Sequence, residues 1–261
     1  GGAVIRLIAC DIDGTLLHGY GAQIDPEVFA QIERLAALGI YFCPTSGRQY
    51  TSLRRLFAPV AGSLYYICEN GAVIFGPGSP GEVLCREEMD RALALELCHE
   101  ILALPGCEIQ ISGQDRSYLC PKGGEIVTIM RDTVGNNVTI LASPDEMPEP
   151  IVKLAVYAPA GAETVEPILA PRWSRHFRTA ISGAAWLDFN STDKGSGLRR
   201  LCEKLGVPLE DVIAFGDSGN DVSMLETAGT GYIMSTAAPH LLEHFPHRCK
   251  RVQDVLRDVG R

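Results

Sequence analysis

Apolar residues fall in short unbroken runs near both ends of the chain and at mixed spacing in its middle. Val4 to Cys10 is rich in branched side chains, the pattern of a strand buried on both faces. Asp25-Pro26 then opens a helix, an N-cap followed by proline at the first position. Val28, Ile32 and Leu35 mark its apolar face, and Gly39 stops it. Ile40 to Cys43 reads as a second strand, Ser46 to Phe57 as a second helical stretch ended by Pro59, and Tyr65 to Cys68 as a third strand. This alternation predicts a parallel, doubly wound sheet.

The pattern changes after Gly71. Residues 76–81, Gly-Pro-Gly-Ser-Pro-Gly, form a turn-rich break, and a helix is expected from Glu87 to Leu104. Strand-like pieces follow at Glu108 to Ser112, Ser117 to Cys120, Ile151 to Tyr157, Phe177 to Ile181 and Ala185 to Phe189. They predict an α+β insertion built on an antiparallel sheet. Strand–helix alternation resumes at Lys194, with Leu198, Leu201 and Leu205 as a helical stripe closed by Gly206. Val212 to Phe215 reads as a strand, Asn220 to Ala228 as a helix, Gly231 to Met234 as a strand, and the tail as helical. The expected layout is an α/β core from residues 1–79 and 189–261, with residues 80–188 as an inserted domain.

Composition narrows the function classes. The 261 residues are 46% hydrophobic and 21% charged, ample for a core without staples. A net charge of −9 argues against a nucleic-acid partner, which calls for a basic face. Nine cysteines lie scattered, several inside apolar runs and none in a zinc spacing, as expected of thiols in a reducing, cytoplasmic setting. No run reaches the roughly 18 apolar residues of a membrane span. Three further features have ordinary readings. Cys98-His99 reads as core packing, and Arg172, Trp173, Arg175 and His176 read as a solvated helix end. The formal G-x-G-x-x-G at 76–81 holds two prolines and precedes no helix, so it reads as a turn.

Chemistry concentrates at predicted strand ends. In Cys10-Asp11-Ile12-Asp13-Gly14-Thr15 two carboxylates two residues apart point to one edge of the sheet, where open α/β sheets bind ligands. Close carboxylates repel, so a cation must hold them or one must keep a proton for acid chemistry. The plain alternative is an acidic turn, though the Glu of a calcium loop is missing at its spacing. Thr45-Ser46-Gly47-Arg48 offers hydroxyl, glycine and cation as an anion cradle, or simply a helix cap. Lys194 opens a helix and is either a solvated residue or a neutraliser of phosphate and carboxylates. In Gly216-Asp217-Ser218-Gly219-Asn220-Asp221 the carboxylates suit Mg²⁺, which needs only one or two, or else cap the following helix.

In this order the pieces resemble the four motifs of the haloacid dehalogenase superfamily of phosphotransferases. Gly216-Asp217 through Asn220-Asp221, Glu69-Asn70-Gly71-Ala72 and the position of the insertion are similar to its Cof-type phosphatases with a type IIB cap. The resemblance implies that Asp11 is the nucleophile and Asp13 the general acid and base. It implies that Ser46, Gly47, Lys194 and Asn220 hold the phosphoryl group and that Arg48 meets the substrate. It further implies Mg²⁺ on Asp11, on the backbone carbonyl of Asp13 and on Asp217, with Asp221 in support, while Thr15 fixes the loop. The expected activity is Mg²⁺-dependent hydrolysis of small phosphorylated metabolites, with sugar phosphates foremost, and no nucleic-acid or membrane partner. Two other readings stay open: a phosphomutase or dedicated sugar-product phosphatase with the same cap, and a phospho-accepting signalling domain of the receiver kind.

Overall fold

The structure is a computed structural model that describes residues 4–19 and 21–261. The first part of the chain forms β1 (Leu7–Cys10), α1 (Pro26–Ala37), β2 (Tyr41–Pro44), α2 (Tyr50–Leu56), β3 (Tyr66–Cys68), β4 (Val73–Gly78) and β5 (Gly81–Arg86). The middle forms α3 (Arg91–Leu102), β6 (Glu108–Ser112), β7 (Ser117–Leu119), α4 (Glu125–Thr128), β8 (Val138–Ile140), β9 (Lys153–Tyr157), α5 (Glu166–Trp173), β10 (Arg178–Gly183) and β11 (Trp186–Asn190). The last part forms α6 (Lys194–Leu205), β12 (Val212–Gly216), α7 (Val222–Thr227), β13 (Thr230–Met234), α8 (Pro239–His244), β14 (His247–Cys249) and α9 (Val252–Leu256).

A five-stranded parallel sheet, β14-β13-β12-β1-β2, carries the core. The unbroken apolar run of β1 follows from its central position. Ile8 and Cys10 face the side covered by α1 and α9, while Leu7 and Ala9 face the side covered by α6, α7 and α8. All four are fully buried, because successive strand residues point to opposite faces and both faces carry helices.

The expected third parallel strand is placed differently. β3 touches the main sheet through a single parallel bridge between Thr45 and Ile67, and otherwise pairs antiparallel with β4. The cause is local. Glu69, Asn70 and Gly71 have φ of 53°, 56° and 103°, so the chain reverses at once into β4 instead of crossing over through a helix. The turn-rich stretch 76–81 is the end of the next hairpin, with Gly78 opposite Gly81. Strand β5 therefore belongs with β3 and β4, and a division at residue 80 would cut this hairpin. The expected second helix is also shorter, starting at Tyr50, because residues 46–49 form the turn that carries the site.

The insertion folds on a six-stranded sheet, β10-β11-β9-β6-β7-β8, antiparallel except for β7 with β8. Ile109, Ile111, Leu154, Val156, Leu187 and Phe189 turn one face into a core with α3 and α5. Cys98 is buried in that core, and His99 meets Asp145 at 3.0 Å on the surface. Trp173 is fully buried and donates its Nε1 to Glu100 at 2.8 Å, while Arg172 pairs with Glu96 and Glu100. The Arg172–Trp173 pair thus ties α5 to α3 and is not a loose helix end. The alternate residues of the same strands, Gln110, Lys153, Tyr157, Trp186 and Asp188, line a cavity.

Candidate active site

Asp11 follows the last residue of β1 and is 5% exposed. Its Oδ1 accepts from Lys194 Nζ at 2.8 Å and its Oδ2 from Thr15 Oγ1 at 2.9 Å. Lys194 reaches this point because α6 starts here. Asp193 caps the helix by accepting from the Ser196 N–H at 2.7 Å, so Lys194 sits in the first turn and is 1% exposed. The same ammonium donates to Asp221 Oδ1 at 2.6 Å. Lys194 is therefore buried between two carboxylates that it neutralises, and is not a solvated surface residue.

Asp221 both caps and bridges. Its Oδ2 accepts from the N–H groups of Asp217 and Ser218 at 2.9 and 3.1 Å, closing a capping box with Ser218. With its other oxygen on Lys194, both are spoken for, and the turn that presents Asp217 is held firmly. Asp217 approaches from β12, with its Oδ1 3.3 Å from Thr15 Oγ1. Gly14 makes room for it: φ is +88°, and a Cβ there would lie 2.0 Å from Asp217 Oδ2.

Carboxylate oxygens of Asp11, Asp217 and Asp221 all lie within 4.8 Å of one another. Burial pushes the carboxyl of Asp11 up to about 6 against the opposing pull of Lys194. Burial and the charge of Asp11 push Asp221 up to about 6, and burial raises Asp217 as well. Burial alone would lower the ammonium of Lys194, but the two carboxylates outweigh it and hold it raised. Three carboxylates thus share one buried ammonium. The cluster is short of positive charge, and the carboxylate oxygens of Asp11 and Asp217 are hard donors of the kind a divalent cation takes.

Asp13 lines the same cavity but is turned from Asp11 toward Arg48, whose Nε and Nη2 donate to its two oxygens at 2.8 Å each. Arg48 also bonds Ser52 Oγ at 2.9 Å and the Val134 carbonyl of the insertion at 3.3 Å. Ser46 and Gly47 line the same cavity. Ser46 is 2% exposed, and its Oγ accepts from the Arg48 N–H at 3.0 Å. Asn220 borders the cavity from the α7 side.

The cavity measures about 610 Å³ and gathers Asp11, Asp13, Ser46, Gly47, Arg48, Lys194 and Asn220. Asp217 lies beside it through Asp11 and Thr15, and Asp221 beneath it through Lys194. The insertion closes the other side. Lys153 Nζ meets Glu69 Oε2 at 2.8 Å and donates to the Gly47 carbonyl, Asn70 Nδ2 donates to Asp188 at 2.8 Å, and Asn190 donates to the Glu69 carbonyl at 3.0 Å. Sequence reading missed Lys153, Gln110 and Asp188 as site residues. The signal was present: each is a polar residue in register with the outward face of a strand whose alternate residues are apolar.

Comparison with known proteins gives a consistent result. The profile of the haloacid dehalogenase-like hydrolases matches residues 8–254. The chain is 26% identical over 243 residues to the 5-amino-6-(5-phospho-D-ribitylamino)uracil phosphatase YbjI of Escherichia coli K12, covering 89% of this chain and 86% of the relative. A crystal structure from Eubacterium rectale superposes with a TM-score of 0.83 at 32% identity, over 97% of this chain and 98% of the other. The HAD subclass IIB sugar phosphatase BT4131 superposes with a TM-score of 0.82 at 18% identity, over 97% and 98%.

Proposed function

Since the chain belongs to the haloacid dehalogenase-like hydrolases, we propose that it hydrolyses monoesters of small phosphorylated metabolites, with Mg²⁺, through a phosphoryl group carried on Asp11. One observation carries this reading most directly. A buried carboxylate at a strand end, held by Lys194, opens on a cavity of metabolite size that also holds a second, more exposed carboxylate, Asp13.

In this reading Asp11 attacks phosphorus and the ester oxygen leaves. Asp13 gives that oxygen a proton, then takes one from the water that attacks the aspartyl phosphate at phosphorus. To carry a proton, Asp13 must give up at least one of its two bonds to Arg48, so substrate entry and release of Asp13 are coupled. Ser46, the Gly47 N–H, Asn220 and Lys194 receive the phosphoryl oxygens, and Arg48, once released, meets the substrate. Mg²⁺ would be held by Asp11, Asp217 and the Asp13 carbonyl, with Asp221 bracing Asp217, and would supply charge neutralisation of the phosphoryl group. The insertion acts as a cap, its boundary placed after Arg86 rather than at residue 80. A cap over the site suits small substrates. Among the described residues no helix is long and apolar enough to cross a membrane. All nine cysteines are free and eight are buried, which supports a reducing, cytoplasmic setting.

Phosphate release from a panel of esters tests the activity: turnover that persists after exhaustive chelation rules out the metal requirement. Asp217→Asn is expected to weaken Mg²⁺ and to lower the rate more than tenfold, about 1.4 kcal/mol or more. Protons compete with the metal for Asp11, whose carboxyl is raised to about 6. Mg²⁺ affinity should therefore be full above that pH and fall as pH drops through it. Titrations of Mg²⁺ at pH 5 and 8 that give equal affinity would contradict this account of the site.

A further inference from the structure

The wall that the insertion gives to the cavity has a charge pattern that bears on which phosphate ester fits. Three cations border the cavity among the described residues, and all are engaged. Lys194 is held by Asp11 and Asp221, Arg48 by both oxygens of Asp13, and Lys153 by Glu69 and the Gly47 carbonyl. On the insertion side stand Asp188 and Glu125. Asp188 is 6% exposed and accepts from the neutral Asn70 amide, and Glu125 accepts from the Tyr157 hydroxyl at 2.9 Å. On that wall two carboxylates stand with the one ammonium of Lys153, which is itself paired with Glu69 of the core turn.

A second feature points to a ligand here. Asn136 borders the cavity and is 5% exposed. One end of its amide bonds Ser117 Oγ at 3.0 Å, while Oδ1 has no hydrogen-bond partner. Oδ1 is itself buried, so a donor on a bound compound reaches it once the side chain turns toward the cavity, and the bond then formed recovers the free energy that a missing partner costs. Beside these groups Trp186 packs on Tyr157, ring centroids 5.0 Å apart, and offers an apolar flank.

Resting on the phosphatase reading above, we propose that this wall selects monoesters whose leaving group is a neutral or cationic ring compound rich in hydrogen-bond donors. Esters whose leaving group carries a second anionic group are disfavoured, with Glu125 and Asp188 as the specificity determinants. The reason is electrostatic. A carboxylate or second phosphate brought against this wall meets the like charges of Glu125 and Asp188, and the wall's own ammonium, Lys153, is already held by Glu69 and the Gly47 carbonyl, whereas a hydroxyl or ammonium meets acceptors.

The test uses the full chain with saturating Mg²⁺ and three esters on one pyranose frame: glucose 1-phosphate, glucosamine 1-phosphate and glucuronic acid 1-phosphate. We expect kcat/KM for the glucuronic acid ester to lie at least tenfold below both others. Glu125 is surface-exposed, so Glu125→Lys should fold, which its thermal midpoint checks. In that variant the ratio of the glucuronic acid ester to the glucosamine ester should rise at least tenfold, and each ratio is internal to one protein, so loss of overall rate does not affect it. A wild-type difference below tenfold, or an unchanged ratio in Glu125→Lys, overturns the proposal while leaving the phosphatase reading intact. Turnover of none of these esters, nor of p-nitrophenyl phosphate, would overturn the phosphatase reading and this inference with it.

Discussion

Asp11→Asn is expected to reduce turnover by at least about a thousandfold, roughly 4 kcal/mol of barrier. The amide has nearly the shape of the carboxylate but cannot attack phosphorus. The loss should not come from unfolding. The wild-type carboxyl is buried and lies close to Asp217 and Asp221, and burial already pushes it up to about 6. A neutral amide removes that desolvation and repulsion, and Lys194 keeps Asp221 as partner at 2.6 Å. The variant should therefore unfold at or near the wild-type temperature. Asp13→Asn should behave differently. It leaves the nucleophile in place and slows both half-reactions, by the roughly 10²–10⁴-fold that general acid–base catalysis contributes. Acid quench during turnover decides between the two carboxylates: wild type should carry a phosphoryl group mapping to Asp11, and Asp11→Asn none. An adduct on another residue, or no adduct under rapid quench with a good substrate, would remove the basis for the covalent route.

That the first aspartate sits so firmly was legible from its neighbours. The four residues before it, Leu7–Cys10, are all apolar, as a central strand with two covered faces requires, and Asp11 is the first residue past their end. The motif residues were legible as types: Lys194 at a helix start and Asp221 in a capping pattern. Their pairings were not. Arg48 joins Asp13 across 35 residues, Lys153 joins Glu69 across 84, and Asn70 joins Asp188 across 118. No local spacing encodes such contacts. The last two arise because the insertion returns its polar sheet face onto the Glu69–Asn70 turn. The short strands β8 and β14 were missed for a related reason. Each has three residues and lies at the edge of its sheet, too short for an alternation to show. The Glu69–Gly71 reversal was hidden differently. Asn and Gly permit positive φ, but Glu69 is held in it by its buried pair with Lys153 and by bonds of its backbone to Arg48 and Asn190.

Removing the ammonium that centres the site should have the largest effect on stability. Lys194→Met fills similar space but leaves Asp11 and Asp221 buried, facing each other, without the cation that now lies 2.8 and 2.6 Å from them. Breaking a buried ion pair by deleting one partner costs about 3–5 kcal/mol, a large share of the roughly 5–15 kcal/mol that holds a domain folded. The pH dependence distinguishes this cause from a simple packing defect. Both carboxyls are already raised to about 6 with Lys194 present, and its loss removes the interaction that lowers them. Groups whose folded pKa is raised hold protons more tightly folded than unfolded, so stability falls as pH rises through the window above the ordinary carboxyl range. Lys194→Met should thus be most destabilised at pH 8 and recover toward wild type below about pH 6, measured by urea unfolding in the presence of a chelator. Adding Asp221→Asn removes one of the two unpaired charges and should restore much of the stability at pH 8, while catalysis stays lost because the phosphoryl group has no ammonium to meet. A loss below about 1 kcal/mol, or one that does not change between pH 5 and 8, would mean that Lys194 is not what balances the buried carboxylates.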